Sequence, residues 1–388
     1  MIENGFTYLA VLMMIGSTIV YTEKKSHHKL FEYLPAIVII YFIVVLFSTF
    51  GLWEKTESVT ATYKTVKSNL LPAMIFLMLL LADMREIFKL GKKMLLTFLL
   101  ASTSIALGFI GMFILFQSSF GPDAWKPFAA LSGSWMGGTA NMVAIQGALE
   151  LPDSAMGYTL LIDSIDYAIW VMILLALVPF AKKFNDWSKA DTSVIDEVGA
   201  KLAQKEESKK PMDFSSLFLL LGSALFVSAL AQYTASFLPT TSFLTTTTWV
   251  VIIATLAGII FAMTPLAKIS GSSELANIML YLIVALIASR ANFSELTEAP
   301  LYILAGFVII TIHVVIMVIF AKLFKLDLFS LGVASLANIG GVASAPILAS
   351  AYSKALIPIG VLMAMMGYIL GTFGGLMVGK ALEMISGT

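Results

Sequence analysis

Twelve apolar runs occupy most of the chain, six on each side of one polar interruption. Each run approaches the roughly 17 to 25 residues with which a helix crosses a bilayer, where a helix satisfies its own backbone groups. Only 12% of the residues are charged, whereas about a quarter are charged in an ordinary soluble domain. The runs therefore predict an all-α polytopic membrane protein. They cover residues 6–22, 34–53, 70–84, 95–116, 127–149, 157–180, 214–238, 247–263, 274–290, 300–321, 328–350 and 356–379.

The polar interruption, residues 184–213, is rich in lysine and too polar for a bilayer. It predicts a cytoplasmic linker between a first half, residues 1–183, and a second half, residues 214–388. The N-terminal residues lack a basic segment and a small-residue cleavage site, so we expect them to lead into a retained helix. No soluble domain is expected.

The two halves share two motifs. The stretches "FLMLLLADMREIF" (76–88) and "YLIVALIASRANF" (281–293) align without a gap, which matches Arg85 with Arg290. The stretches "SGSWMGGTA" (132–140) and "SLANIGGVA" (335–343) share the pattern Ser-x4-Gly-Gly-x-Ala. Chance similarity among small and apolar residues is the alternative, but internal repeats are common in transporters. We therefore expect the halves to be structural repeats.

The loop charges predict how the halves are oriented. Cytoplasmic loops carry an excess of lysine and arginine, so the basic stretches around residues 24–29, 85–93 and 182–210 should all lie inside. If the run 127–149 crossed the membrane, the last of these would lie outside. The conflict disappears if this run enters from outside, turns at its paired glycines and leaves on the same side. Each half then has five transmembrane helices plus one re-entrant hairpin, and the odd number of crossings makes the two repeats inverted in topology.

This topology has two consequences for location. The protein is expected to be a multi-pass protein of the cell inner (cytoplasmic) membrane, with the N- and C-termini both outside. The hairpin of the second half, which turns at Gly340 and Gly341, should enter from the cytoplasm, and Lys322, Lys325 and Lys354 flank it as an inside location requires.

The hairpin turns are the predicted substrate site. Irregular backbone at membrane depth is tolerated where protein buries it or water reaches it, and glycine permits both a tight turn and the close approach of a ligand. We expect Ser344 to cap the returning arm of the second hairpin, with Pro346 in its first turn, and Thr139 or Asn141 to cap that of the first. Two helix N-termini at the midplane would favour an anionic ligand; close helix packing is the alternative reason for the glycines. The predicted substrate-binding residues are Gly137, Gly138, Thr139, Asn141, Gly340, Gly341 and Ser344.

Two acids in the run after the first hairpin indicate a cation site. Asp163 and Asp166 lie one helical turn apart on one face, roughly 9 and 13 Å from the end near Gly157 at 1.5 Å per residue. Carboxylates inside a membrane are costly and usually have an ion, a proton or a cationic partner. With Asn141 they offer the oxygen ligands that a hard cation prefers, which predicts a hypothetical Na+ site at Asp163, Asp166 and Asn141. One shared proton, or a water-filled vestibule, is the alternative.

The remaining polar residues narrow the function classes. The chain has no cysteine and only three histidines, and it lacks an H-E-x-x-H motif, so we expect no enzyme and no cofactor other than a coupling ion. His313 falls mid-helix and either relays protons or bonds to a neighbouring helix. A net charge of zero gives no sign of a nucleic-acid partner, and the lack of long polar stripes disfavours a channel.

The glycine motifs "GSWMGGTANM" and "SLANIGGVASAP", with "LLADMREIFKLGKK" upstream of the first and "LIDSIDYAIW" downstream, resemble the bacterial membrane-protein family named domain of unknown function 819. The resemblance covers nearly the whole chain. That family is more distantly similar to the sodium/glutamate and citrate symporters. This similarity implies Gly-rich re-entrant hairpins in a mobile transport domain, a scaffold that forms a homodimer, and an elevator-type movement. A histidine follows the paired glycines in sodium/glutamate symporters, whereas Thr139 does here, so neither glutamate nor the same ion chemistry is implied.

Together these features predict a secondary active transporter that moves a small organic solute, expected to be an anion, with Na+ by alternating access in a lipid bilayer. A proton-coupled transporter or antiporter is the nearest alternative. The sequence leaves open the solute, the direction of transport and the oligomeric state.

Overall fold

The computed structural model describes residues 1–26, 35–192, 211–241, 243–291 and 299–387. These residues form helices joined by short turns, which confirms the all-α prediction. The main helices are α1 Gly5–Ser26, α2 Ala36–Thr49, α3 Glu57–Leu79, α4 Gly91–Phe116, α5 Trp125–Gly137, α6 Thr139–Ala148, α7 Met156–Leu177, α8 Ala181–Ser188, α9 Phe214–Ala235, α10 Thr246–Ala262, α11 Ser272–Ala288, α12 Ala299–Phe324, α13 Leu328–Ile339, α14 Gly341–Tyr352 and α15 Ile357–Ser386.

Membrane spans are supported by helix length and composition. Within the described residues, six helical stretches are long and apolar enough to cross a bilayer. They are Gly5–Ser26, Glu57–Ser119 (which contains α3 and α4), Asp153–Ser188, Phe214–Ala235, Ala299–Phe324 and Ile357–Ser386. The apolar helices α2, α10 and α11 are shorter, so the predicted number of ten crossing helices stays a prediction.

Both predicted hairpin segments break into two short helices. In the first, α5 has 13 residues and α6 has 10; in the second, α13 and α14 have 12 each. At 1.5 Å per residue none of these exceeds about 20 Å, which is less than the hydrocarbon thickness of about 30 Å. The two helices of each pair pack against each other. The membrane side on which each pair enters and leaves is not fixed by these contacts, so re-entrance stays a prediction.

The helices form two bundles. The first bundle contains α1, α2 and α3 packed with α9, α10 and α11, and the second contains α4 to α7 packed with α12 to α15. Corresponding helices of the two sequence halves therefore lie in the same bundle. The helix α6 also contacts α3, α10 and α11, so it lies at the boundary between the bundles.

Small residues let α5 and α15 approach closely. A Cβ atom added to Gly375 would lie 2.9 Å from the Cα of Gly133, and one added to Gly371 would lie 2.7 Å from the Cα of Gly137. These glycines recur every four residues on both helices, the spacing that brings membrane helices together. Close helix packing is therefore observed at Gly137, and substrate binding at this residue stays a prediction.

Polar side chains start several helices. Thr56 caps α3 through the N–H of Val59, and Asp213 caps α9 through the N–H of Ser216. Because of the Thr56 cap, α3 begins at Glu57, well before the apolar run that starts at residue 70. Such caps satisfy the N–H groups that have no acceptor within the helix.

The predicted linker is described only at its ends. Its first residues belong to α8, which packs on α12 and α13, and the side-chain oxygen of Asn185 accepts a 2.9 Å hydrogen bond from the N–H of Leu328. Residues 193–210 lie outside the described residues.

Candidate functional site

The first tip, residues Gly137 and Gly138, uses its two glycines for different purposes. Gly138 has φ +88° and ψ 169°, a conformation that only glycine adopts without strain. At Gly137 a Cβ atom would collide with the carbonyl oxygen of Gly367 and lie 2.8 Å from the Cα of Gly371. The turn and the close approach are therefore separate requirements on adjacent residues.

The second tip, Gly340 and Gly341, repeats this division. Gly341 has φ +60°, while a Cβ atom on Gly340 would collide with the Tyr167 ring and the hydroxyl of Ser344. In both tips the first glycine permits close packing and the second adopts the left-handed conformation. This agreement supports the sequence correspondence of the two motifs.

The predicted helix caps at the tips are wrong. The helix α6 begins directly after Gly138 and α14 directly after Gly340, and neither start has a side-chain cap. Ser344 therefore lies inside α14, and Pro346 lies beyond the first turn. The glycine conformations turn the chain abruptly enough for α14 to start four residues earlier than a Ser344 cap requires. The Ser344 side chain is buried and lies beside Tyr167.

Asn141 joins the first tip to α15. Its Nδ2 donates to the carbonyl of Gly137 at 2.7 Å, and its Oδ1 accepts a 2.5 Å hydrogen bond from the Thr372 hydroxyl. A small cavity of about 10 Å³ lies beside it at the boundary between the bundles. The cavity is lined by Ile75, Met78, Leu79, Ala140, Asn141 and Tyr368.

The two predicted acids lie on α7 within the second bundle. Asp163 is half-buried and its Oδ1 accepts a 2.9 Å hydrogen bond from the Ser134 hydroxyl of α5. Asp166 is completely buried, and neither of its carboxylate oxygens has a hydrogen-bond partner. It fits against Gly306 of α12, where a Cβ atom would collide with its Oδ2.

The Na+ site predicted at Asp163, Asp166 and Asn141 stays a prediction, because the hydrogen bonds of Asn141 go to Gly137 and Thr372. Among the described residues, no three or more aspartate, glutamate or histidine side chains group as a multi-acid metal centre requires. A sodium site does not need such a group, since hydroxyl and carbonyl oxygens also bind hard cations.

His313 is part of a buried hydrogen-bonded chain. Its Nδ1 lies 2.7 Å from the Ser104 hydroxyl and its Nε2 lies 2.8 Å from the Ser335 hydroxyl. The Trp170 indole N–H also donates to Ser335 at 2.9 Å. Of the two sequence hypotheses, bonding to neighbouring helices is confirmed for His313. The chain links α4, α7, α12 and α13, which holds the second bundle together.

Three residues around the tips were missed from the sequence. Ser134 joins Asp163 to the first tip, Thr372 holds Asn141, and Tyr368 lines the cavity. The glycine repeat at Gly367, Gly371, Gly375 and Gly379 was the available signal, since such spacing marks a helix that packs closely on a neighbour. The residues between these glycines were therefore candidates for the site.

Comparison with known proteins agrees with this membrane architecture. The sequence model of the family described as "Protein of unknown function (DUF819)" matches residues 10–385. The chain is similar to the "Uncharacterized membrane protein YjcL" of Bacillus subtilis (strain 168), with 27% identity over 332 residues that cover 82% of this chain and 83% of the relative. That name and the long apolar helices support a multi-pass membrane protein. The match over nearly the full length establishes that the chain belongs to the DUF819 family.

Proposed function

We propose that the protein is a secondary active transporter in which a cation, assigned as Na+, drives the movement of a small organic anion. The observation that carries this proposal is the buried Asp166 carboxylate, whose two oxygens have no hydrogen-bond partner. A buried charge without a partner costs several kcal/mol. Such a group takes up a cation or a proton, and intramembrane acids with this property mark ion pathways.

Asp163 extends the cation site towards the first tip. It lies one turn before Asp166 on α7, and its Oδ1 accepts from the Ser134 hydroxyl at 2.9 Å. The carbonyl of Ser134 in turn accepts a 2.6 Å hydrogen bond from the N–H of Gly138. Binding of a cation at Asp163 and Asp166 would therefore fix Ser134 and, through it, the turn at Gly138.

The cavity beside Asn141 is the proposed solute site. Its volume of about 10 Å³ is about the space of one water molecule, so a solute would bind there only when the bundles move apart. The N-terminus of α6 begins at this tip, and the first N–H groups of a helix have no acceptor within it. Such an end carries partial positive charge and binds anions, so we assign an anionic solute.

The contact pattern supports movement of one bundle against the other. The helix α6 is packed against the first bundle, whereas its counterpart α14 contacts α7, α13 and α15 of its own bundle. Val342 and Ile347 of α14 are 38% and 56% exposed.

In our proposal each half contributes five crossing helices and one re-entrant hairpin in inverted topology. An elevator-type shift of the second bundle would then pack α14 on α2 and α11, the counterparts of α10 and α3.

The proposal also covers the oligomeric state, the cofactor and the coupling of ion to solute. The first bundle is the scaffold that we expect to form a homodimer, and the coupling ion is the only cofactor that we assign. We assign no enzymatic activity. Coupling arises because a cation that orders the tip lowers the ordering cost for the solute.

Thermal unfolding in different salts tests the cation site. The detergent-purified protein would be compared in NaCl and in choline chloride, for the wild type and for Asp166→Asn. A ligand at a hundredfold excess over its Kd stabilises the folded state by about 2.7 kcal/mol, so we expect a sodium-specific rise in the unfolding midpoint that the variant lacks. A wild type that unfolds equally in both salts would remove the sodium proposal.

Proton coupling is the second candidate, because a proton also neutralises Asp166. It predicts that pH changes the unfolding midpoint of the wild type more than that of Asp166→Asn, with no difference between the two salts. The same set of samples measured across pH distinguishes the two ions.

A further inference from the structure

The two arginines matched by the sequence repeat have different surroundings. Arg85 donates to the Asp83 carboxylate through Nε at 3.0 Å and through Nη2 at 2.8 Å. In the second half, the residue aligned with Asp83 is Ala288 and the residue aligned with Glu86 is Ala291. Arg290 therefore lacks both acids that accompany its counterpart.

No described carboxylate replaces them. The Nη1 atom of Arg290 is buried and has no hydrogen-bond partner, and its guanidinium carbon lies 5.3 Å from the centroid of the Tyr63 ring. Asp153, an acid beside the same Tyr63 ring, already has three donors. It accepts from the Tyr63 hydroxyl at 2.5 Å, from Lys67 at 2.9 Å and from the Gln146 amide at 3.1 Å.

Among the described residues, positive charge is in excess around the Tyr63 ring, at the boundary between the bundles. Arg290 follows α11 and Lys67 lies on α3, both in the first bundle, whereas Asp153 lies between α6 and α7 of the second. The Lys67 Nζ lies 5.4 Å from the same Tyr63 ring, so two cations lie near one ring, and of these two Lys67 is the one paired with Asp153. A buried guanidinium N–H without an acceptor is at least as unfavourable as a neutral unpaired donor.

The backbone that carries Arg290 is held in place. The carbonyl of Ser289 accepts from the Ser48 hydroxyl at 2.8 Å and from the Trp53 indole at 3.0 Å. The Ser289 hydroxyl pairs with the hydroxyl of Tyr8. Because three side chains of the first bundle hold Ser289, the backbone next to Arg290 is positioned before any ligand arrives, which lowers the entropic cost of binding.

One face of α3 extends from Lys67 to the cavity beside Asn141. Lys67, Leu71 and Ile75 recur every four residues and therefore lie on one face, and Ile75 lines the cavity beside Asn141. Between them Leu71 packs on Gly147 of α6, where a Cβ atom would lie 2.5 Å from its Cδ2. Lys67 and Ile75 are about 12 Å apart along the helix.

We propose that Arg290, with Lys67 beside it, is an anion-binding site that receives the carboxylate or phosphate group of a solute at the bundle boundary, before the solute reaches the cavity. The inference rests on the proposed function in one respect, that the solute is anionic. Arginine suits this task because its planar fork binds two oxygens of a carboxylate or phosphate together.

Thermal unfolding in choline salts tests this site without sodium. The purified full-length protein would be titrated with choline acetate, succinate, citrate and phosphate at constant ionic strength, with choline chloride as the baseline. We expect at least one oxyanion to raise the wild-type midpoint in a saturable manner. Succinate or citrate as the effective salt identifies a carboxylate site, and phosphate identifies a phosphate site.

Variants assign the response to Arg290. Arg290→Gln should raise the apparent Kd at least about tenfold, as loss of a charged hydrogen bond predicts. Arg290→Lys keeps the charge and should weaken binding by less, which preserves the test if the glutamine variant does not fold. Lys64→Gln is the matched control, since Lys64 is an exposed cation on α3, the helix that carries Lys67. This variant should bind the oxyanion as the wild type does.

The result also separates this inference from the proposed function. Asp166→Asn should keep the oxyanion response, because no sodium is present. If no oxyanion stabilises the wild type, or if Arg290→Gln responds as the wild type does, the inference is overturned while a sodium response can still stand. If sodium has no effect but the oxyanion response depends on Arg290, the anion site stands and the sodium proposal fails.

Discussion

Replacing Gly306 by alanine adds a methyl group where the carboxylate of Asp166 lies. The added Cβ would collide with Oδ2 of Asp166 and with the Cγ2 of Ile162, and would lie 2.9 Å from the carboxyl carbon of Asp166. Either α7 and α12 separate or the Asp166 side chain turns away. In both cases the arrangement that we assign to the cation is lost.

The expected loss of stability and of cation affinity in Gly306→Ala follows from the cost of overpacking a filled interior. Inserting a methyl group into a filled interior costs about 1 to 3 kcal/mol. If the protein relieves this strain by turning Asp166 away from the site, the same free energy appears as a loss of cation affinity of about 5- to 150-fold. We therefore expect Gly306→Ala to unfold at a lower temperature in choline chloride and to gain much less stability from NaCl.

The assay is the thermal unfolding midpoint against sodium concentration, and a second glycine provides the control. Gly222 lies in α9, and a Cβ atom added there meets nothing within 4 Å, so Gly222→Ala should be neutral or slightly stabilising and keep the full sodium response. If Gly306→Ala matches this control in stability and in sodium response, Asp166 does not occupy the space that we describe.

Three other predictions concern the tip and the helix ends. Gly138→Ala forces alanine into φ +88° and should cost about 1 to 3 kcal/mol in unfolding experiments, whereas Gly121→Ala, with nothing within 4 Å, should be neutral. Thr372→Val removes the donor to the buried Asn141 oxygen and should lower the free energy of unfolding by about 1 to 3 kcal/mol; an unchanged value would refute the role of that bond. Hydrogen bonds from two neighbouring serines lower the pKa of Asp213 from 3.8 to about 2, so its stabilisation is complete above the ordinary value and is lost only as pH falls through about 2. Asp213→Asn should therefore leave any pH dependence between pH 5 and 8 unchanged, and a change in that range would contradict the shift.

The sequence predicted the helices well because apolar runs and glycine breaks are local signals. The segments around Gly137 and Gly340 break where the paired glycines stand, and the linker separates the halves. The start of α3 was missed because its first turns are polar, so only the Thr56 cap marks it. The caps at the tips were wrong because a serine or asparagine near a glycine turn does not decide which residue starts the helix.

The contacts of the site could not be predicted from local patterns. Asn141 bonds to Thr372, which is 231 residues away in the chain, and Asp166 fits against Gly306 of a helix from the other half. The spacing of Asp163 and Asp166 predicted their shared helix face, but only the packing of α12 on α7 shows that Asp166 lacks a hydrogen-bond donor. Likewise the sequence matched Arg290 with Arg85, but the absence of acids aligned with Asp83 and Glu86 can be interpreted only once the surroundings of both arginines are known.

Equilibrium binding of radioactive 22Na+ to the purified protein tests the central claim most directly. Wild type, Asp166→Asn and Asp213→Asn would be compared, the last as an acid outside the membrane-spanning helices. We predict saturable binding that unlabelled NaCl displaces and choline chloride does not, present in the wild type and in Asp213→Asn and lost in Asp166→Asn. No saturable binding to the wild type, or equal binding to wild type and Asp166→Asn, would contradict the claim that Asp166 holds the coupling ion.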